Sequence, residues 1–251
     1  MALPEFYHRD YRDRAVPDGL VSFRAAVGET DLWIAASRDL TAEALRSIRE
    51  HRGGIEAYID QHPGFATSLT PWREKAPKGS LVARMVDAAA AVGVGPMASV
   101  AGVIAQAVAV DLAAKSSRVF VENGGDLYLI GGGRRCVGLW AGHSPLSGRV
   151  GLMVDPRKGL AICTSSGTVG PSLSFGRADA ATVLSPSGAL ADAAATELGN
   201  RVRGVEDIER AVDWALSITG VTGALVIMGG VFGAKGDVEL VPLKESQGSR
   251  V

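Results

Sequence analysis

Apolar and polar positions change rhythm several times along this chain, and each change predicts an element. Residues 20–27 and 31–37 alternate around Gly28-Glu29, the pattern of two strands joined by a tight turn. From 41 to 61 the apolar positions Leu45, Ile48, Ile55, Tyr58 and Ile59 recur at helical spacing. Asp39 or Thr41 is available to cap that helix, and Pro63 stops it. Residues 66–79, with Pro71 and Pro77, predict a loop. Residues 81–92 and 97–115 predict two Ala-rich helices separated by Gly93-Val94-Gly95-Pro96. Pro96 suits a first turn, where the missing N–H would be unpaired anyway.

Strand patterns follow at 118–122, 126–130, 136–141, 149–154 and 160–164, with Gly131-Gly132-Gly133 as the turn between the second and third. Residues 179–185 predict a further strand, 188–200 and 205–218 two helices, and 224–228 and 238–241 the closing strands. Strands and helices come partly in blocks. The expected class is therefore α+β, with mixed α/β layers, in a single domain over residues 1–251. No internal repeat is visible.

Composition narrows the function classes. A chain of 251 residues with 47% hydrophobic and 21% charged residues belongs with folded proteins. A net charge of −1 argues against a nucleic-acid partner held by phosphate neutralisation. The two cysteines, Cys136 and Cys163, supply neither a disulfide framework nor a metal-ligand cluster, so a reducing cytoplasm is expected. The start, MALPEFYHRDYRDR, lacks the apolar stretch of a secretory signal. No apolar run reaches the roughly 20 residues of a membrane span, so no membrane partner is expected.

One segment resists a simple structural reading. Residues 163–200 are dominated by Ser, Thr, Gly and Ala, a texture usual in linkers, yet they lie between strand patterns and end in a helix. Inside it, Asp192 and Thr196 stand four apart with only Ala between, so a helix puts both on one face. A carboxylate and a hydroxyl there can hold a hard cation with carbonyls and waters. The alternative is that Asp192 caps the helix and Thr196 bonds back to the main chain. Asn123-Gly124-Gly125-Asp126 reads as a hairpin turn, and equally as backbone that approaches a ligand closely.

Other motifs are weaker. Gly93-Val-Gly95-Pro-Met-Ala98 matches GxGxxA, but a dinucleotide fingerprint follows a strand and this one follows a helical pattern. The histidines His8, His51, His62 and His143 have no zinc-ligand spacing. GPSLS at 170–174 lacks the second glycine of a nucleophile elbow, and no base stands near Cys163 in sequence.

GGD after a strand, then TSG, then AD-x-x-x-T on a helix resembles the ApbE superfamily of FAD:protein FMN transferases. The chain is more similar still to an ApbE-like branch of bacteria and archaea. The shared motifs stand here as ETDL at 29–32, GPMASVAG at 95–102, VENGGD at 121–126, CTSSGTVGPSLSFGRADA at 163–180 and ALADAAAT at 189–196. The resemblance implies an ApbE-like, T-fold-related domain with an antiparallel-rich sheet and packed Ala-rich helices. It implies a Mg²⁺ held by Asp192 and Thr196, and FAD or a related flavin nucleotide lined by Gly124, Gly125 and Asp126. Thr164, Ser165 or Ser166, and Gly167 correspond to the TSG loop, with Ser172 and Ser174 as polar contacts and Arg177 as the nearest cation for a phosphate. A homodimer follows from the same likeness.

The chain departs from the transferases in two places. Their His-x-x-Asp-Pro segment has no counterpart in residues 174–187, and their Lys-Gly pair is Ala101-Gly102 here. Losing a cation and a His from a pyrophosphate site removes transition-state stabilisation, which argues against FMN transfer by the usual route. The expected function is binding of a phosphate-bearing small molecule with Mg²⁺. The alternative is a non-catalytic binding or assembly protein that retains the scaffold, with Val231-Phe232 and the hairpin at 20–33 as its apolar surface.

Overall fold

The structure, a computed structural model, describes residues 19–167 and 175–243. The first half runs β1 (Val21–Val27), β2 (Thr30–Ala36), α1 (Thr41–Gln61), α2 (Gly64–Thr67), α3 (Leu81–Val92), a 3₁₀ turn at Pro96–Ser99 and α4 (Val100–Ala113). Five strands follow: β3 (Val119–Asn123), β4 (Asp126–Ile130), β5 (Arg135–Gly138), β6 (Val150–Val154) and β7 (Leu160–Ser165). Then come β8 (Ala180–Ser185), α5 (Gly188–Asn200), a 3₁₀ turn at Val205–Asp207, α6 (Ile208–Leu216), β9 (Gly223–Met228), β10 (Val231–Gly236) and β11 (Glu239–Pro242).

Every described strand pair is antiparallel. Eight strands form one sheet in the order β1-β2-β3-β4-β7-β8-β9-β10, and β11-β6-β5 form a second. The alternation of each strand distributes side chains between two cores. Val119 and Val121 of β3 face the helices with Ile34 and Cys163, whereas Phe120 joins Leu129, Ile162 and Leu184 on the other face. Leu152 and Val154 of the small sheet cover that second core. The molecule is thus layered as helices, large sheet, small sheet, the mixed α+β architecture that the blocks of pattern predict.

Small residues set the helix packing. A Cβ added to Gly102 of α4 would strike the Gly188 carbonyl, and one added to Gly188 would strike the Gly102 carbonyl. The two helices therefore cross backbone to backbone, and the Ala-rich face of α5 fills the space around them. The stretch Pro96–Ala113 is long and apolar enough by composition to cross a membrane. Here it is the central core helix, with Val103, Ile104, Val108 and Leu112 buried.

Four points need correction. Residues 231–236 form a strand that the pattern did not predict, because Gly233 and Gly236 interrupt it and Val231 and Phe232 are about half exposed. The helix expected over 97–115 opens as a 3₁₀ turn with Pro96 in its first turn, and the one expected over 205–218 does the same. Residues 64–67, which run into the first two positions of the loop expected over 66–79, make one helical turn. At α1 it is Asp39 that serves the start: its carboxylate accepts the N–H of Thr41 at 2.8 Å and its hydroxyl at 2.6 Å.

Candidate functional site

Backbone contact explains much of the small-residue segment. A Cβ on Gly167 would collide with the Gly176 carbonyl, and one on Gly176 with the Gly199 carbonyl. The chain leaving β7 and the chain entering β8 are held together there. Gly167 N–H donates to the Ala178 carbonyl at 2.9 Å, and Arg177 N–H to the Val202 carbonyl at 2.8 Å. Three main-chain segments thus lie in contact, and larger side chains have no room. Residues 168–174, including Ser172 and Ser174, lie outside the described residues.

Next to this layer is an acidic centre. Asn123 and Asp126 close the β3–β4 hairpin as a facing pair, with Gly124 and Gly125 between them at φ of +68° and +110°. Two successive positive φ values suit a two-residue hairpin turn, which glycine adopts without strain. The register Leu127↔Ile162 puts Asp126 beside Cys163. Its carboxylate accepts the Thr164 N–H at 3.2 Å. From the helix side Asp192 meets the same place: it accepts the Gly102 N–H at 2.8 Å and also bonds the Ala101 N–H. Asn123 Nδ2 donates to the Ala101 carbonyl at 3.1 Å. The hairpin and α5 are therefore both tied to the first turn of α4.

Asp192 is a cap, but not of its own helix. It lies inside α5 and supplies the acceptor for main-chain donors at the start of α4, where helices leave N–H groups unpaired and favour negative charge. Ser187 caps α5 instead, accepting the Leu190 N–H at 3.3 Å.

The electrostatics are strongly perturbed. Burial, opposed by the Cys163 thiol and the Thr164 N–H and reinforced by Glu122, raises the Asp126 pKa to about 7. Asp192 is raised as well, by burial and then by Asp126, against the pull of the Gly102 and Ala101 N–H groups. Among the described residues no Lys or Arg contributes to either carboxylate. The Cys163 thiol is pushed up by burial and by the two carboxylates, which keeps it protonated and makes it a poor nucleophile. A hydrolase built on Cys163 is not what this centre provides.

The predicted site residues divide into groups. Gly124, Gly125, Asp126 and Asp192 converge, with the Thr164 main chain joining them. The Thr164 hydroxyl turns away and bonds Thr182 at 2.9 Å. Ser165 is directed at Gly199 on α5, its hydroxyl 3.6 Å from where a Cβ there would stand. Ser166 is partly buried and Gly167 exposed. Thr196 is one helical turn beyond Asp192 and partly exposed, so the side chains share a face as the spacing predicts. Arg177 is exposed. Asp155-Pro156 lies elsewhere, with Asp155 bonded to Arg157. Among the described residues no three His, Cys, Asp or Glu side chains group as metal ligands, so a cation here would need hydroxyl, carbonyl or water oxygens besides the two carboxylates.

Sequence reasoning missed Asn123 as an anchor, the main-chain donors of Ala101 and Gly102, and Cys163 as a lining residue. The signal for the first was present in Asn123-Gly124, which a hairpin turn explains equally well.

An antiparallel sheet bearing Ala-rich helices on one face, with a GGD hairpin meeting an Asp on a helix, defines an ApbE-like protein. The chain belongs to the family described as AbpE bacteria, which it matches over residues 13–234. It is 44% identical over 205 residues to a UPF0280 protein of Methanocella arvoryzae, covering 81% of this chain and 83% of that one. A UPF0280 protein of Methanosarcina acetivorans is likewise 44% identical over 224 residues, covering 86% and 87%. Among solved structures, the apo form of Pseudomonas stutzeri flavinyl transferase ApbE superposes with a TM-score of 0.52 at 14% identity, over 86% of this chain and 94% of that one. The ApbE protein of Thermotoga maritima gives 0.53 at 12%, over 85% and 96%. At these identities the likeness establishes the fold.

Proposed function

We propose that this chain binds a phosphate-bearing small molecule, a flavin nucleotide such as FAD in the first instance, together with Mg²⁺ at the Asp126–Asp192 centre. The observation that carries the reading is a buried Asp126 carboxylate interacting with the partly buried Asp192, with no cationic side chain among the described residues offsetting either. Such a pair must hold a proton or take a cation. Its donors are all oxygen, which suits a hard divalent ion, and Thr196 on the same helix face supplies a hydroxyl. Bound Mg²⁺ would neutralise the carboxylates and polarise phosphate oxygens. This chain's own part is to hold the acids in place from α4 and the hairpin, and to offer a glycine turn that a nucleotide can approach.

FMN transfer by the usual route does not follow. Where the transferases carry Lys-Gly, Ala101 and Gly102 use their N–H groups to hold Asp192, and β8 occupies the span that lacks the His-x-x-Asp-Pro segment. The reading is of a small-molecule protein of the cytoplasm, consistent with two free cysteines. Calorimetric titration of FAD into protein in Mg²⁺ and in EDTA tests it. Binding that requires Mg²⁺ and weakens at least tenfold in Asp192→Asn is expected; cation-independent binding or no binding removes the reading.

A second reading, assembly through a homodimer, has one observation in its favour. Val205, Ile208, Val231 and Phe232 line an apolar groove of about 320 Å³ between α6 and edge strand β10. Sedimentation of the wild type beside Phe232→Lys distinguishes a dimer built on that edge from a monomer.

A further inference from the structure

Strand β4 ends in a second glycine turn, at the opposite end from Gly124-Gly125 and so about 17 Å away. Gly131 and Gly132 have φ of +76° and +77°. Gly131 N–H is taken by the Pro156 carbonyl at 3.0 Å, whereas the N–H groups of Gly132 and Gly133 make no hydrogen bond among the described residues. A Cβ on Gly132 would fall on Nη2 of Arg135, so the glycine is what lets that guanidinium lie against the turn. A Cβ on Gly133 would meet nothing within 4 Å, so the outer side of the turn is open.

Arg135 itself is unusual. Its guanidinium lies 4.2 Å from the Phe120 ring centroid, its Nε is buried without a partner, and the side chain makes no hydrogen bond or ion pair among the described residues, although its backbone pairs with Val154 in the small sheet. Arg118 stands beside it, its own guanidinium on the Gly19 carbonyl at 3.2 Å. Burial and the neighbouring Arg118 charge both work against the Arg135 cation and lower its pKa. Two carboxylates on the adjoining strands are engaged by other arginines, Asp155, which follows the ladder partner Val154, by Arg157 at 2.9 Å and Glu239 by Arg134. A half-buried guanidinium normally finds a carboxylate or phosphate, since leaving it unpaired is costly.

We infer that the Gly131–Gly133 turn and the Arg135 guanidinium form a seat for a phosphate group, separate from the acidic centre. The free turn N–H groups and the planar guanidinium suit tetrahedral oxyanions, and Arg118 adds charge. The phosphate is either inorganic or the terminus of a phosphomonoester.

Calorimetric titration tests this, with inorganic phosphate and glycerol phosphate as probes, in EDTA and at fixed ionic strength. EDTA silences a cation at the acidic centre, and Asp192→Asn provides a second control for that centre. The wild type and Asp192→Asn are expected to bind at least one probe, and the arm that gives heat tells free from esterified phosphate. Arg135→Gln should weaken binding at least tenfold and Arg135→Lys less, with unfolding curves confirming that the variants fold. Absence of binding of both probes to the wild type, or unchanged binding by a folded Arg135→Gln, overturns the inference. Either failure leaves the Mg²⁺-dependent reading of the acidic centre standing.

Discussion

The two ends of β4 use the same backbone device for opposite electrostatics. At one end Gly124 and Gly125 turn the chain with positive φ and leave Asp126 buried beside Asp192. At the other, Gly131 and Gly132 turn it with positive φ and leave Arg135 half-buried beside Arg118. At the second end glycine also lets a charged group sit where a side chain would exclude it, since a Cβ on Gly132 would fall on the Arg135 guanidinium. On the two proposals above, the turn sets access and the charge beside it sets what would be accepted: a cation at the first end, an anion at the second.

The comparison breaks most severely where the acidic end is supported. Gly102→Val would drive a branched side chain into the Gly188 carbonyl and the Asp192 Cβ. A loss of about 3 kcal/mol is expected by urea unfolding, the upper part of the range for overpacking. Binding of FAD should fall with it, because Asp192 must move.

Asp126→Asn is the next largest effect and gives the comparison a sign. The Asp126 pKa rises in the fold from 3.8 to about 7, so the folded carboxyl keeps a proton that the unfolded chain has released. Without divalent cation, its contribution to stability therefore falls as pH rises from about 4 to about 7, and is flat above that. The amide can still accept the Thr164 N–H but carries no charge. EDTA-treated Asp126→Asn should be more stable than the wild type at pH 8, and its stability should fall less between pH 4 and 7, with Asp192 alone remaining to lose its proton. Equal stability at pH 8 would show that the carboxylate is not a source of strain.

At the basic end, Gly132→Ala should cost about 1–2 kcal/mol, because its φ of +77° strains an L residue and its Cβ displaces Arg135. Gly133→Ala, with open space around its Cβ, should cost well under half as much by the same unfolding measurement. The smallest effect concerns chemistry alone. Iodoacetamide at pH 8, followed by peptide mass spectrometry, should label exposed Cys136 and spare Cys163 until the protein is unfolded.

Local pattern made most of the elements legible. The spans of α3, α5 and β4 match their periodicity end to end, because Ser80, Ser187 and the flanking glycines punctuate them. Strand β10 was hidden because an edge strand with two half-exposed apolar residues and two glycines has no clean alternation. The partition into two sheets depends on long-range pairing that no window contains. At the site, the spacing of Asp192 and Thr196 predicted a shared face, and the hairpin reading of Asn123-Gly124 held alongside its proximity to Asp126. What the spacing could not reveal is that Asp192 caps α4, a partner ninety residues earlier. The same holds for Arg135, which reads in sequence as one more polar residue after a glycine turn.

Thermal unfolding with and without FAD, each in Mg²⁺ and in EDTA, tests the central claim most directly. At about a hundred times the dissociation constant, ligand adds roughly 2.7 kcal/mol, a rise of roughly 5 °C or more for a chain of this size. The account predicts that rise only when FAD and Mg²⁺ are both present, and its loss in Asp192→Asn. An equal rise in EDTA, an undiminished rise in Asp192→Asn, or none under any of the four conditions would contradict it.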